Sequence, residues 1–193
     1  MGGAMSIVLQ GSTSGSITLQ EPAIAGNTVL SLPATTGTVL TSASPASDLP
    51  SSINGPAFSA YSNAIQTITG GSFTQVSFQV EEFDTNSNFA SNTFTPTVAG
   101  YYQMTFNVKA SATTTLSRFI VSVYKNGATT GRQWDCDLDS NSAWFVNGSK
   151  LLYCNGTTDA ITLYVYTEGT GTITIGSTDA NTNYFSGVLV RSA

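Results

Sequence analysis

The sequence predicts an all-β protein with a sandwich-like or barrel-like core. Alternation is the first sign: Tyr102, Met104, Phe106 and Val108 are apolar while Gln103, Thr105 and Asn107 are polar, the period of a half-buried strand. Punctuation is the second. From Pro56 onward, strand-like runs and turn residues recur at the roughly 8–12-residue spacing of a sandwich or barrel. The third is that no segment carries apolar residues at the spacing of about 3.6 that an amphipathic helix needs.

Residues 1–40 read as a β-rich attachment or trimerisation segment. Ser6–Gln10, Ser16–Gln20, Thr28–Leu32 and Thr38–Leu40 are short extended pieces, separated by the Gly11–Gly15 break, Gly26-Asn27 and Gly37. Each piece is too short and too poor in large apolar side chains to hold a core alone, so partner chains or a docking site are expected to stabilise it. Met1-Gly2-Gly3-Ala4 reads as an appended remnant, with Met5 as the natural start. Residues 41–55 carry small polar side chains with Pro45 and Pro50, the composition of an extended linker.

Residues 56–193 form the head domain. Strands are expected near 57–61, 64–69, 73–82, 92–95, 101–110, 117–124, 128–134, 144–153, 160–167 and 184–190. Pro96 cannot donate to a ladder and marks a strand end. Ala99-Gly100 is expected to form a tight reversal in which Gly100 supplies conformational freedom. Asn126-Gly127 after Val121–Tyr124 is a hairpin signal, since both residues tolerate positive φ. Asn155-Gly156 after Leu151–Cys154 repeats it.

Composition narrows the function. Only 9% of the 193 residues are charged, against about 25% in an average globular domain. Ser and Thr outnumber the charged residues by about three to one, a hydroxyl-rich surface that suits an extracellular or virion particle better than a cytosolic enzyme. Net charge is −5 with a pI near 4.3, and the six basic residues are scattered, which excludes a nucleic-acid binder. There is no His, the commonest general base and zinc ligand. No run of 18 apolar residues and no secretory signal are present. Cys136 and Cys154 read as two buried free thiols, with a single bridge between them as the alternative.

Five separated pieces share one resemblance. Pro56-Ala57-Phe58-Ser59-Ala60 looks like the opening strand of the complement/tumour-necrosis-factor-like globular head. Phe94 through Met104 resembles its signature of an aromatic, a proline and a glycine before a Tyr-rich strand. Val123–Gly127 is similar to its strand ending in Lys-Asn-Gly, and Leu151–Leu163 to the following long hairpin, although Asp159 sits later than usual. Tyr184–Val190 resembles the closing strand with its Phe-Ser-Gly. The resemblance implies a ten-strand jelly-roll sandwich forming a homotrimer, its first and last strands adjacent near the axis. Phe58, Phe94, Gly100, Tyr102, Met104, Phe106, Phe185 and Gly187 are its core and trimer signature. No Gly-X-Y repeat precedes the head, so the complement role does not transfer. Gly15–Gln20 and Leu32–Leu40 resemble a segment of bacteriophage tail-fibre and other virion proteins.

Chemical constellations are sparse. In Trp134–Asn141, alternation places Asp135, Asp137 and Asp139 on one face, a candidate calcium group weighed against a solvated acidic loop. An EF-hand is excluded, since Ser140 and Val146 stand where Gly and Glu would be needed. Adjacent Glu81 and Glu82 point to opposite faces of a strand and make a poor catalytic dyad. Trp134, Trp144, Tyr164, Tyr166 and Tyr184 invite a sugar-binding reading, but core or trimer-axis packing is the favoured one. Without His or a Gly-X-Ser-X-Gly elbow, nucleophilic catalysis has no support.

These readings predict a non-enzymatic bacteriophage virion protein, a trimeric fibre or knob presenting a host-attachment surface. No cofactor is expected, calcium aside, and no membrane insertion. The expected partners are itself, other virion proteins through residues 1–40, and a host surface glycan or protein. The alternatives are a capsid fibre or tail component with an assembly role, a polysaccharide depolymerase, and a secreted or spore-surface bacterial protein.

Overall fold

A computed structural model describes residues 6–10, 13–14, 16–20, 55–178 and 182–193. The chain divides into two units, Met1–Val39 and Leu40–Ala193. In the first, β1 (Ser6–Gln10) and β2 (Ser16–Gln20) form an antiparallel hairpin with Ser6 opposite Gln20. Val8 and Leu9 point to opposite faces of it, and both are exposed. The expected pieces at 28–32 and 38–40, and linker residues 41–54, lie outside the described residues.

The second unit contains β3 (Ala57–Tyr61), β4 (Gln66–Ile68), β5 (Thr74–Gln75), β6 (Val80–Asp84), β7 (Phe89–Ala90), β8 (Thr93–Phe94), β9 (Gly100–Lys125), β10 (Ala128–Cys154), β11 (Ile161–Thr170), β12 (Ile173–Ile175) and β13 (Tyr184–Ser192). The architecture is an all-β jelly roll. Two long strands replace the four expected between residues 101 and 153, because the chain passes between layers through bends that keep its pairing. In β10 the register slips between Asp137 and Asn141 and again before Ala143, a bulged corner. Each long strand therefore contributes one leg to each sheet.

The first sheet runs β6, β3, β13, the first leg of β9, then the second leg of β10. The second runs from the first leg of β10 through the second leg of β9 to β11, with β5 and β8 along the far side of β11. β12 joins the two ends by pairing with both β4 and residues Ala110–Ala112 of β9. β3 and β13 are adjacent, with Phe58 opposite Gly187.

Alternation builds the core between the sheets. Tyr102, Met104, Phe106, Val108 and Ala110 face inward from β9, and Ile161, Leu163 and Val165 from β11. Phe58 is the hub: it stacks on Phe89 at 4.7 Å and Phe94 at 4.4 Å, and meets Phe185 edge-on at 5.2 Å. Each such ring contributes about 1.5–3 kcal/mol through burial. The Tyr102 hydroxyl donates to the Val98 carbonyl at 2.7 Å, and burial pushes its pKa up to about 12.

The turns differ from expectation in two places. Asn126 (φ 54°) and Gly127 (φ 76°) form the left-handed pair of a two-residue hairpin between β9 and β10, Lys125 lying opposite Ala128. Asn155-Gly156 does not repeat it. β11 pairs with β9 rather than β10, so residues 155–160 are a crossover between the sheets. There the Asn155 side chain accepts from the amides of Thr157, Thr158 and Asp159. Gly100 is also not a reversal: it is the first residue of β9, without positive φ. What it supplies is space, since a Cβ there would collide with the Arg191 carbonyl and Leu189.

Candidate functional site: the outer face of the first sheet

The first sheet leaves its outer face unusually apolar. Side chains alternate with the core set, so Tyr101, Gln103, Thr105, Asn107 and Lys109 point outward from β9, opposite Tyr153, Leu151, Ser149, Asn147 and Phe145 on β10. Val188 of β13 pairs with Gln103, and Phe83 of β6 lies opposite Ser59 of β3. Phe83, Tyr101, Phe145, Leu151, Tyr153, Val188 and Val190 are each between 44% and 57% exposed. Single exposed apolar residues are ordinary; seven on one sheet face mark an interaction surface. Among the described residues, charges lie toward its margins. Glu82 accepts from the Ser59 hydroxyl at 2.7 Å, Lys109 sits 5.7 Å above the Phe145 ring, and Arg191 is opposite Tyr101.

Polar groups occupy the middle of this face. Thr105, Asn107, Asn147, Ser149 and Tyr184 line a shallow depression of about 460 Å³. The Thr105 and Ser186 hydroxyls share a 2.6 Å hydrogen bond, and Asn107 Nδ2 donates to the Thr182 carbonyl at 2.6 Å. The face therefore has a polar middle between more apolar ends.

No protein-family model matches the chain, and no curated protein matches it. Among solved structures, the globular domain of zebrafish complement 1qA protein superposes at a TM-score of 0.54 with 19% identity, over 72% of this chain and 99% of that one. Murine APRIL at pH 5.0 superposes at 0.51 with 13% identity, over 69% and 98%. The fold is that of the complement/tumour-necrosis-factor-like head. At these identities the likeness is one of fold.

The signature residues sit in the core rather than on the exposed face. Phe58, Phe94, Tyr102, Met104, Phe106 and Phe185 are all essentially inaccessible. Gly187 is also buried, where a Cβ would come within 2.7 Å of Phe58 and 2.8 Å of Met104. Thus the signature residues are core residues of the sandwich.

Two of the three acidic candidates, Asp135 and Asp137, lie against one arginine. Among the described residues no three His, Cys, Asp or Glu side chains come together as a metal site. Asp135 faces Arg118 instead, with Nε at 3.0 Å and Nη2 at 2.6 Å, and that guanidinium holds its carboxyl below the usual range. Arg118 also reaches Glu168 at 3.4 Å and Asp137 at 3.9 Å. Arg118 thus centres an ionic network on the outer face of the second sheet. Glu81 and Glu82 are both exposed on β6.

The aromatic candidates separate. Trp134 packs edge-on to Phe106 at 4.7 Å, against Gly148, whereas Trp144 is 41% exposed. Tyr184 is half-buried on the outer face of the first sheet. Tyr164 and Tyr166 do not enter the core, because Leu163 and Val165 take the inward positions of β11. They lie half-buried on the opposite face, Tyr164 stacked on Tyr124 at 4.2 Å and Tyr166 against Phe73 at 5.4 Å. Both thiols are free: Cys154 is buried and Cys136 only partly so, correcting the expectation of two buried thiols.

One buried charge was missed by sequence reasoning. Asp159 is 5% exposed, yet its carboxyl meets Lys125 Nζ at 2.7 Å, Asn126 Nδ2 at 2.8 Å and the Asn155 amide at 2.8 Å. Burial opposes its ionisation, and these bonds outweigh burial and hold its pKa below the usual carboxylate range. It ties the β9–β10 hairpin to the crossover. The apolar face did have a sequence signal. Leu151-Leu152-Tyr153-Cys154 and Val188-Leu189-Val190 are unbroken apolar runs, the mark of strands covered on both faces.

Proposed function

We propose that the head assembles as a homotrimer through the outer face of its first sheet, and that the chain is a non-enzymatic bacteriophage virion fibre or knob presenting a host-attachment surface. The carrying observation is the contiguous exposure of Phe83, Tyr101, Leu151, Tyr153, Val188 and Val190 on the sheet that also holds the first and last head strands. A face this apolar is stabilised in water by a matching face, and a second and third copy supply it. The virion role is supported by the low charge and hydroxyl-rich composition, together with the fibre-like pattern of residues 15–40. Exposed Val8 and Leu9 on opposite faces of a two-stranded hairpin fit a segment completed by other virion proteins.

Attachment would act through multivalency: three weak sites per knob and several knobs per particle raise avidity by about 10²–10⁴ without one tight site. Light scattering on the purified chain should give about three times 20.1 kDa, and a monomer at micromolar concentration overturns the trimer. Labelled antibody on particles tests the role. Density on tail fibres supports attachment, and density confined to the capsid supports the assembly role instead.

A further inference from the structure

Beside β11, on the second sheet, the chain builds a groove that the trimer surface does not use. It has a volume of about 560 Å³ and is lined by Thr67, Thr69, Gly70, Gly71, Glu168 and Gly171 among others. The segment 69–73 runs along the edge of β11, its Gly71 amide donating to the Thr167 carbonyl at 2.8 Å. We propose that this groove is a subsite for a neutral carbohydrate, with Glu168 as its anchoring acceptor. The inference deepens the attachment role proposed above and rests on it.

Three features support that chemistry. The lining offers hydroxyls, backbone amides and carbonyls, the partners a polyhydroxylated ligand needs, and includes no basic side chain to draw an anion. Glu168 is held in place: the Tyr166 hydroxyl donates to its Oε1 at 2.8 Å and Arg118 Nη1 to the same oxygen at 3.4 Å. Both bonds fall on Oε1, which leaves Oε2 as a fixed, charged acceptor for a ligand hydroxyl. Tyr166 is itself braced by Phe73, in ring contact at 5.4 Å, so the carboxylate it holds has a fixed support. Finally, the Thr167 hydroxyl is buried without a hydrogen-bond partner and lies 3.8 Å from where a Gly70 Cβ would stand, an unsatisfied polar group behind the groove lining.

Saturation-transfer NMR on the full chain tests this, using the methyl glycosides of glucose, galactose, mannose and N-acetylglucosamine, with glucuronic acid as the anionic comparison. At least one neutral glycoside is expected to bind, roughly tenfold more weakly to Glu168→Ala, as expected for loss of a hydrogen bond to a charged group. Glucuronic acid is expected not to bind. Should Glu168→Ala lose its β-sheet circular dichroism, Glu168→Gln carries the same comparison. Absence of transfer to every neutral glycoside, unchanged affinity in the variant, or preference for glucuronic acid overturns the proposal. Binding of labelled chain to host cells separates the two readings. Cell binding that survives Glu168→Ala, with no sugar signal, overturns the groove and keeps attachment. Glu168-dependent sugar binding without cell binding keeps the groove and overturns attachment.

Discussion

Phe58 and Gly187 face each other across β3 and β13, and the absence of a side chain at Gly187 is what lets the Phe58 ring lie flat against the core. A Cβ at Gly187 would come within 2.7 Å of Phe58 Cε1 and 2.8 Å of Met104 Cε. Gly187→Ala is expected to destabilise the head by about 1–3 kcal/mol, the cost of overpacking a filled core. Urea denaturation followed by tryptophan fluorescence measures it. An unchanged midpoint would show that the Phe58 and Met104 side chains shift to accommodate the methyl without cost.

Asp159 gives the head an acid limb. Its folded-state pKa lies below that of the unfolded chain, so protonation favours unfolding. The stabilisation is complete above the unfolded carboxylate value of about 4 and is lost as pH falls through the lower folded value. Asp159→Asn is expected to cost about 2–3 kcal/mol at neutral pH, less than a fully buried pair because the Lys125 side chain is 29% exposed. Melting temperature recorded between pH 3 and 7 should show a shallower acid slope in the variant than in the parent. Equal slopes would place the acid sensitivity elsewhere.

Leu151 is 54% exposed on the outer face of the first sheet. Leu151→Glu is expected to dissociate the assembly, because three copies would bring unpaired carboxylates into an apolar contact. Gel filtration with light scattering should then report a single chain with unchanged circular dichroism. A trimer that persists would move the interface to another face.

Chelation is expected to leave stability unchanged. Asp135 already has a cation in Arg118 at 2.6 Å, and the Asp137 side chain is 95% exposed. Melting curves with EDTA and with millimolar calcium should coincide, and a calcium-dependent rise would restore the acidic loop as a metal site.

Legibility followed the range of the interaction. The β9 core face was readable because alternation is local: Tyr102, Met104 and Phe106 lie within five residues. The Asn126-Gly127 hairpin was readable because its backbone angles depend on two residues. Asn155-Gly156 misled, since the same dipeptide serves a crossover when the next strand pairs elsewhere. Tyr164 and Tyr166 misled for a related reason: alternation places them together, but only packing decides which face the aliphatic neighbours take.

The order of residues alone therefore determined that the described elements are strands, that a hairpin turns at Asn126-Gly127, and which apolar series of β9 faces the core. These depend on the two-residue period and on turn chemistry, both written into adjacent positions. Only the tertiary structure decided that Arg118 pairs with Asp135, that Asp159 is buried with Lys125, and that Glu168 stands at the edge of a groove. Those partners are separated by 17 and 34 residues in the ion pairs, and by about 100 across the groove. Such contacts exist only after two sheets have closed on one core, because side chains so far apart meet through strand pairing and not through local preference.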